Sequence, residues 1–207
     1  MSRARRLLWG TLVGICGVIA IAIVALVGAF GSGYFRNFHL PAEAMAPTLE
    51  KGDSFVAFMD GGGDLKRGDI VLLAVGEATY VKRIAALAGD SIGMREGVVV
   101  LNGRPVAQRL LATERRPGFG GMQAVRRLSE QLPGEAVPHE ILDLGPSPVD
   151  DVPEMKVPAG FVFVLGDNRD RSADSRVARI QDGVELLPVS DVKGWPLFCT
   201  RGCELGR

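Results

Sequence analysis

The chain has 207 residues, with 24 Lys and Arg against 24 Asp and Glu and a pI near 6.7, so it lacks the whole-molecule basic field of a nucleic-acid binder. A hydrophobic share of 47% and a charged share of 23% exclude a disordered polymer. Three Cys are too few for a disulfide-built mini-fold, and two His (His39 and His139) leave little material for a His-based metal centre.

Residues 1–6 carry Arg3, Arg5 and Arg6 and no acid, and no Asp, Glu, Lys or Arg follows from Leu7 through Phe35. The densest apolar run, 7–30, would span about 36 Å as a helix, enough for a hydrocarbon core of about 30 Å. A cleaved leader has the same basic start but an apolar region of only about 7–15 residues. The run therefore predicts a retained transmembrane helix. The Arg cluster before it predicts 1–6 in the cytoplasm and the rest of the chain beyond the membrane. That remainder holds 21 basic and 24 acidic side chains, a net charge near −3.

A juxtamembrane link, 31–40, contains Tyr34, Phe35 and Phe38, which suit a membrane interface or core packing equally. Beyond it, Ser54–Phe58, Asp69–Val75, Thr79–Ala85, Gly97–Leu101 and Phe161–Leu165 read as short strands broken by Gly and Pro clusters. Such a pattern predicts a mainly β domain, not alternating βα units. Its core is expected over 41–103 and 154–198, interrupted by 104–153, a Pro-rich insertion or cap with a helical candidate at Gln123–Leu132. A tail, 199–207, ends the chain. Cys199 and Cys203 lie close enough in sequence for a local disulfide in an oxidising space, and Cys16 reads as a small apolar residue of the anchor.

Three clusters could carry chemistry: AEAMAPTLEKGD (42–53), TYVKRIAALAGD (79–90) and GDNRDRSADSR (166–176). On a strand, Tyr80, Lys82 and Ile84 share a face. Burial there would lower the lysine pKa toward a general base, but the strand alone favours a solvated lysine. The third cluster reads as a loop tied by internal ion pairs. Its interleaved Arg169, Arg171 and Arg176 weigh against calcium at Asp167, Asn168, Asp170 and Asp174.

Taken in order behind an N-terminal anchor, these motifs resemble the bacterial type I signal peptidases, membrane-anchored peptidases with a Ser/Lys dyad. The residues that carry the resemblance are Met45-x-Pro47-Thr48-Leu49-x-x-Gly52-Asp53, Gly68-Asp69-Ile70-Val71, Tyr80-Val81-Lys82-Arg83, Gly89-Asp90, Asn102-Gly103 and GDNRDRSADSR. The resemblance implies a largely β outer domain with a smaller insertion and an activity that cuts signal peptides from secreted precursors. It implies no cofactor and no metal, with signal peptides and membrane lipid as partners and no nucleic acid. Lys82 then stands at the general base, Ser172 at the hydroxyl that orients it, and Asp174 and Arg176 at a pair that holds the loop. Asp167 and Arg169 match structural polar positions.

The nucleophile position departs from that pattern. The family's serine immediately precedes Met-x-Pro-Thr, and here that residue is Ala44; the family's oxyanion hydroxyl two residues earlier is Ala42. A methyl group cannot attack a carbonyl, so the acyl-enzyme route is closed in this sequence. Three readings stay open: an active peptidase with another nucleophile, an inactive relative that binds signal-peptide-like segments, and an active enzyme changed from Ser to Ala.

Overall fold

The fold is that of a computed structural model, which describes residues 3–31, 33–61, 63–118, 120–178, 181, 183–200 and 202–203, with side chains from residue 14 onward except 26, 29 and 30. The chain divides into two units, one up to Arg36 and one from Asn37 onward.

In the first unit, helix α1 runs Arg3–Gly31 over 29 residues. Ile15, Val18, Ile19, Ile21, Ile23, Val24 and Val27 are exposed on it. Among the described residues, no helix is long and apolar enough to cross a membrane. The side chains of 3–13, including the Arg cluster and the start of the apolar run, lie outside the described set, as do residues 204–207 of the tail.

The second unit is mainly β. Its strands are β1 (Phe35–His39, which begins at the unit boundary), β2 (Ser54–Phe58), β3 (Ile70–Val75), β4 (Ala78–Ala86), β5 (Ser91–Arg95), β6 (Val98–Leu101) and β7 (Arg104–Pro105). They continue with β8 (Ala107–Gly118), β9 (Gly121–Gln131), β10 (His139–Asp143), β11 (Val152–Lys156), β12 (Phe161–Leu165), β13 (Leu187–Pro188) and β14 (Val192–Cys199). A seven-stranded sheet has the order β1-β2-β14-β3-β4-β12-β13, a second the order β11-β5-β6-β7, and a third the order β10-β9-β8.

The large sheet is covered on both faces. On β3, Ile70 and Leu72 pack with Met45, Leu49 and Phe55, whereas Val71 and Leu73 pack with Val162, Val164 and Val184. Phe38 stacks on Phe55 with ring centroids 5.6 Å apart, so this aromatic belongs to the core. β4 lies between β3 and β12, and its last six residues are all buried. That is why Lys82 is only 2% exposed, against the solvated lysine expected from the strand alone. The alternation argument assumed a wet face, and this sheet has none there.

A second expectation fails in 104–153. The helical candidate Gln123–Leu132 is strand β9, paired antiparallel with β8 from Gly118↔Gly121 to Ala107↔Gln131 and with β10 on its other side. Val125 and Leu128 are spaced like one helix face, but cross-strand pairing on both edges decides the conformation. Cys199 and Cys203 form a disulfide with Cα atoms 5.7 Å apart, and Cys16 is free and exposed.

Candidate active site

The site grows from three segments that the large sheet brings together. β4 carries Lys82 and Arg83 to the sheet interior, the loop before β2 carries Ala42 to Thr48, and the loop after β12 carries Gly166 to Arg176. Lys82 Nζ donates to Ser172 Oγ at 2.9 Å, a buried bond between residues 90 apart in sequence. The Tyr80 ring lies 5.9 Å from the same ammonium nitrogen. Burial disfavours the charged amine more than Asp174 favours it, and the Lys82 pKa falls to about 8.

Ala44 lies beside the Ser172 side of this pair. A Cβ built on Gly166 would lie 2.5 Å from the Ala44 carbonyl oxygen, 2.5 Å from Ser172 Cβ and closer still to Ser172 Oγ. Only glycine lets these three backbones converge. Asn168 also fixes the segment: its N–H donates to the Ala44 carbonyl at 3.1 Å and its Nδ2 to the Glu43 carbonyl at 3.1 Å. Glu43 also pairs with Arg171 at 2.6 Å. Ala44 is half-buried and Ala42 exposed, and neither side chain offers a hydroxyl.

Buried ion pairs hold the loop. Arg176 Nε donates to Asp174 Oδ1 at 2.9 Å and its Nη2 to Oδ2 at 2.9 Å, while the Gly166 N–H donates to Oδ2 at 3.0 Å. Burial opposes the Asp174 charge, yet Arg176 and the Gly166 N–H hold its carboxyl below the usual range. Arg83 grips Asp167 with Nε at 2.8 Å and Nη2 at 2.7 Å, and Thr48 Oγ1 donates to Asp167 Oδ2 at 2.5 Å. Burial likewise opposes the Asp167 charge and Arg83 overrides it. Both acids face guanidinium groups, Asp167 that of Arg83 and Asp174 that of Arg176.

The structure thus gathers Ala44, Lys82, Ser172, Asp174 and Arg176 in one neighbourhood, with Asp167 and Arg169 in the loop's support, while Ala42 is exposed two residues before Ala44. Glu130 was not named by the sequence, and Arg83, Asn168 and Gly166 were named there without the roles they have here. Glu130, on β9, is fully buried and binds Arg169 through both terminal guanidinium nitrogens. The adjacent charges Lys82-Arg83 inside one apolar strand were the available signal for Arg83, since a strand sends one to each face.

The sequence profile of the family described as "Signal peptidase, peptidase S26" matches residues 12–199. The signal peptidase I of Bacillus licheniformis is 31% identical over 185 residues, covering 87% of this chain and 83% of the relative. Signal peptidase I T of Bacillus subtilis is 31% identical over 195 residues, covering 92% of this chain and 82% of the relative. The solved structure of a signal peptidase I from Enterococcus faecalis matches with 20% identity and a TM-score of 0.36, covering 64% of this chain and 96% of that one.

Proposed function

The chain belongs to the signal peptidases of family S26, the bacterial type I group, and we propose that it binds signal peptides of secretory precursors without cutting them through residue 44. The observation that carries this reading is the Lys82–Ser172 pair beside a residue with no hydroxyl. A general base must be neutral to accept a proton, and a buried lysine near 8 suits that role. Ser172 fits the group that orients the amine, with Asp174 and Arg176 fixing its loop and Asp167 and Arg169 supporting it. Ala44 supplies no attacking atom and Ala42 no oxyanion hydroxyl. No cofactor or metal enters this reading.

Binding has its own support. β12 pairs with β4 only at Arg83, Ile84 and Ala86, and among the described residues no strand pairs with Ala78–Lys82 on that side. An extended peptide added to this edge would run beside Lys82, with main-chain hydrogen bonds for affinity. The test uses the full chain, tagged, in detergent with a labelled secretory precursor. Full-length precursor should be retained on the tagged chain and stay uncut. A mature-length product would sink the non-cutting reading, and loss of retention would sink the binding reading.

The same proposal places the chain in the cytoplasmic membrane, with 7–30 as a single-pass anchor and the β unit on the extracytoplasmic side, where precursors emerge. Its support is the charge-free stretch from Leu7 through Phe35 behind Arg3, Arg5 and Arg6. Lipid is then a partner and nucleic acid is not. Protease added to intact spheroplasts should degrade the β unit; its complete protection would reverse the topology.

A further inference from the structure

The three-stranded sheet meets the Ser172 loop at Leu142, whose N–H donates to the Asp167 carbonyl at 2.8 Å, and at one buried acid. Glu130 accepts from Gln108 Nε2 at 2.8 Å, from Arg169 Nη1 at 3.1 Å and, more closely, from Arg169 Nη2. His139, on β10, brings Nε2 to 3.4 Å from the same carboxylate and Nδ1 to 2.9 Å from Glu135. Arg169 Nε is buried with no hydrogen-bond partner, so Glu130 is the carboxylate that grips this guanidinium directly. The Arg169 carbonyl in turn accepts from Arg176 Nη2, and Arg176 holds Asp174. Glu130, Arg169 and Asp174 are buried, as is the side chain of Arg176, and Ser172 follows Arg169 by three residues.

We propose that Glu130 is a positioning residue for the Lys82–Ser172 pair, acting through Arg169 and Arg176. Its carboxylate cancels the buried Arg169 charge and so fixes the backbone carbonyl on which Arg176 rests. Removing one partner of a buried pair leaves an uncompensated charge, which the loop relieves by shifting toward water. That shift carries the Ser172 oxygen off the lysine and lets water reach the amine. The inference rests on reading Lys82–Ser172 as the retained centre, but not on any peptide being bound or cut.

The full chain, labelled with 13C,15N-lysine and held in detergent, is titrated by NMR, with the Lys82 signal identified by its loss in Lys82→Arg. Glu130→Gln should raise the Lys82 midpoint from about 8 by roughly one pH unit, toward the ordinary lysine value. Arg67→Gln, which breaks a separate pair with Asp90 at 2.6 Å, should leave the midpoint in place. A lower midpoint is what loss of one negative charge around an unmoved lysine gives, and it would overturn the proposal. An unchanged midpoint, or an equal rise in Arg67→Gln, would do the same. Should Glu130→Gln not fold, Glu130→Asp keeps the charge but withdraws it from Arg169 by one methylene, which loosens the grip on the guanidinium without burying it unpaired. A raised midpoint there supports the positioning role and an unchanged one overturns it. Because no cleavage or binding is read, failure here leaves the proposed function standing, and failure of that function leaves this comparison intact.

Discussion

Lys82 donates to Ser172 at 2.9 Å from inside a sheet that is covered on both faces. Burial disfavours the ammonium there more than the Asp174 carboxylate favours it. The pair is therefore a costly arrangement to keep beside Ala44, which offers no hydroxyl. Nothing in the packing of the sheet requires a lysine at this point.

That cost predicts a pH-dependent stability. The folded-state pKa is about 8 and the ordinary value 10.5, so between them the unfolded lysine binds a proton that the folded one does not. Stability contributed by this group rises with pH across that window, by on the order of 3 kcal/mol if the whole shift is realised. Below about 8 both states are protonated and the full burial penalty stands. In urea unfolding, Lys82→Met should exceed wild type most at pH 7, and the gap should narrow toward pH 10. A gap that is constant with pH would mean the amine is not desolvated in the folded chain.

Gly166→Ala should separate the segments that meet at the site. The new methyl would lie 2.5 Å from the Ala44 carbonyl oxygen and closer to Ser172 Oγ, and at least the first of these is backbone that cannot swing aside. Overpacking of this kind costs about 1–3 kcal/mol. The Lys82 signal should also move toward an ordinary lysine as Ser172 is displaced. Unchanged stability and an unchanged Lys82 midpoint would show that the three segments do not converge as described.

How far the site could be read from sequence depended on the kind of physics involved. Ser54–Phe58 and Phe161–Leu165 were legible as strands because β-branched and aromatic residues sit between clear turn signals. The β9 segment was not, since Arg126, Arg127 and Glu130 among Val125 and Leu128 fit a helix face as well as a strand with two paired edges. Lys82 could be named from the order of the motifs, while its burial depended on coverage of both faces, which no local pattern records. Glu130 was illegible because its partner, Arg169, lies 39 residues away and belongs to a different sheet's loop.

The Arg83–Asp167 pair should behave as a buried structural bond. Arg83→Met leaves Asp167 with Thr48 as its hydroxyl donor and no direct guanidinium partner, and loss of one partner typically costs about 3–5 kcal/mol. Arg83→Met combined with Asp167→Leu should recover much of that in urea unfolding. The folded Asp167 carboxyl is held below its ordinary range, so its contribution is present above the unfolded pKa and is lost as pH falls through the folded one. If the double variant is no more stable than Arg83→Met alone, the arginine acts mainly through its bond to the Gly68 carbonyl at 2.7 Å.

The sharpest prediction concerns residue 44 itself. On the proposed reading, Ala44→Ser adds one oxygen beside the Ser172 partner of a buried amine, so precursor cleavage should appear where wild type shows none. Loss of a nucleophile typically lowers turnover by about 10⁴–10⁶, and restoring it should recover a large part of that range. Recovery should be incomplete, because Ala42 still lacks the oxyanion hydroxyl and one missing donor commonly costs about 10²–10³. Adding Ala42→Ser to Ala44→Ser should therefore raise turnover with little change in KM, since that donor acts on the transition state. Adding Lys82→Ala to Ala44→Ser should abolish it, and the rate of the Ala44→Ser form should climb with pH through about 8 as the amine becomes neutral. These variants differ only at residues 42, 44 and 82, so differences among them report on the reacting groups. Equal cleavage by wild type and Ala44→Ser would mean that this chain does not use a serine at 44. No cleavage by either serine form, with precursor still retained, would mean that the pocket has drifted beyond what two hydroxyls restore.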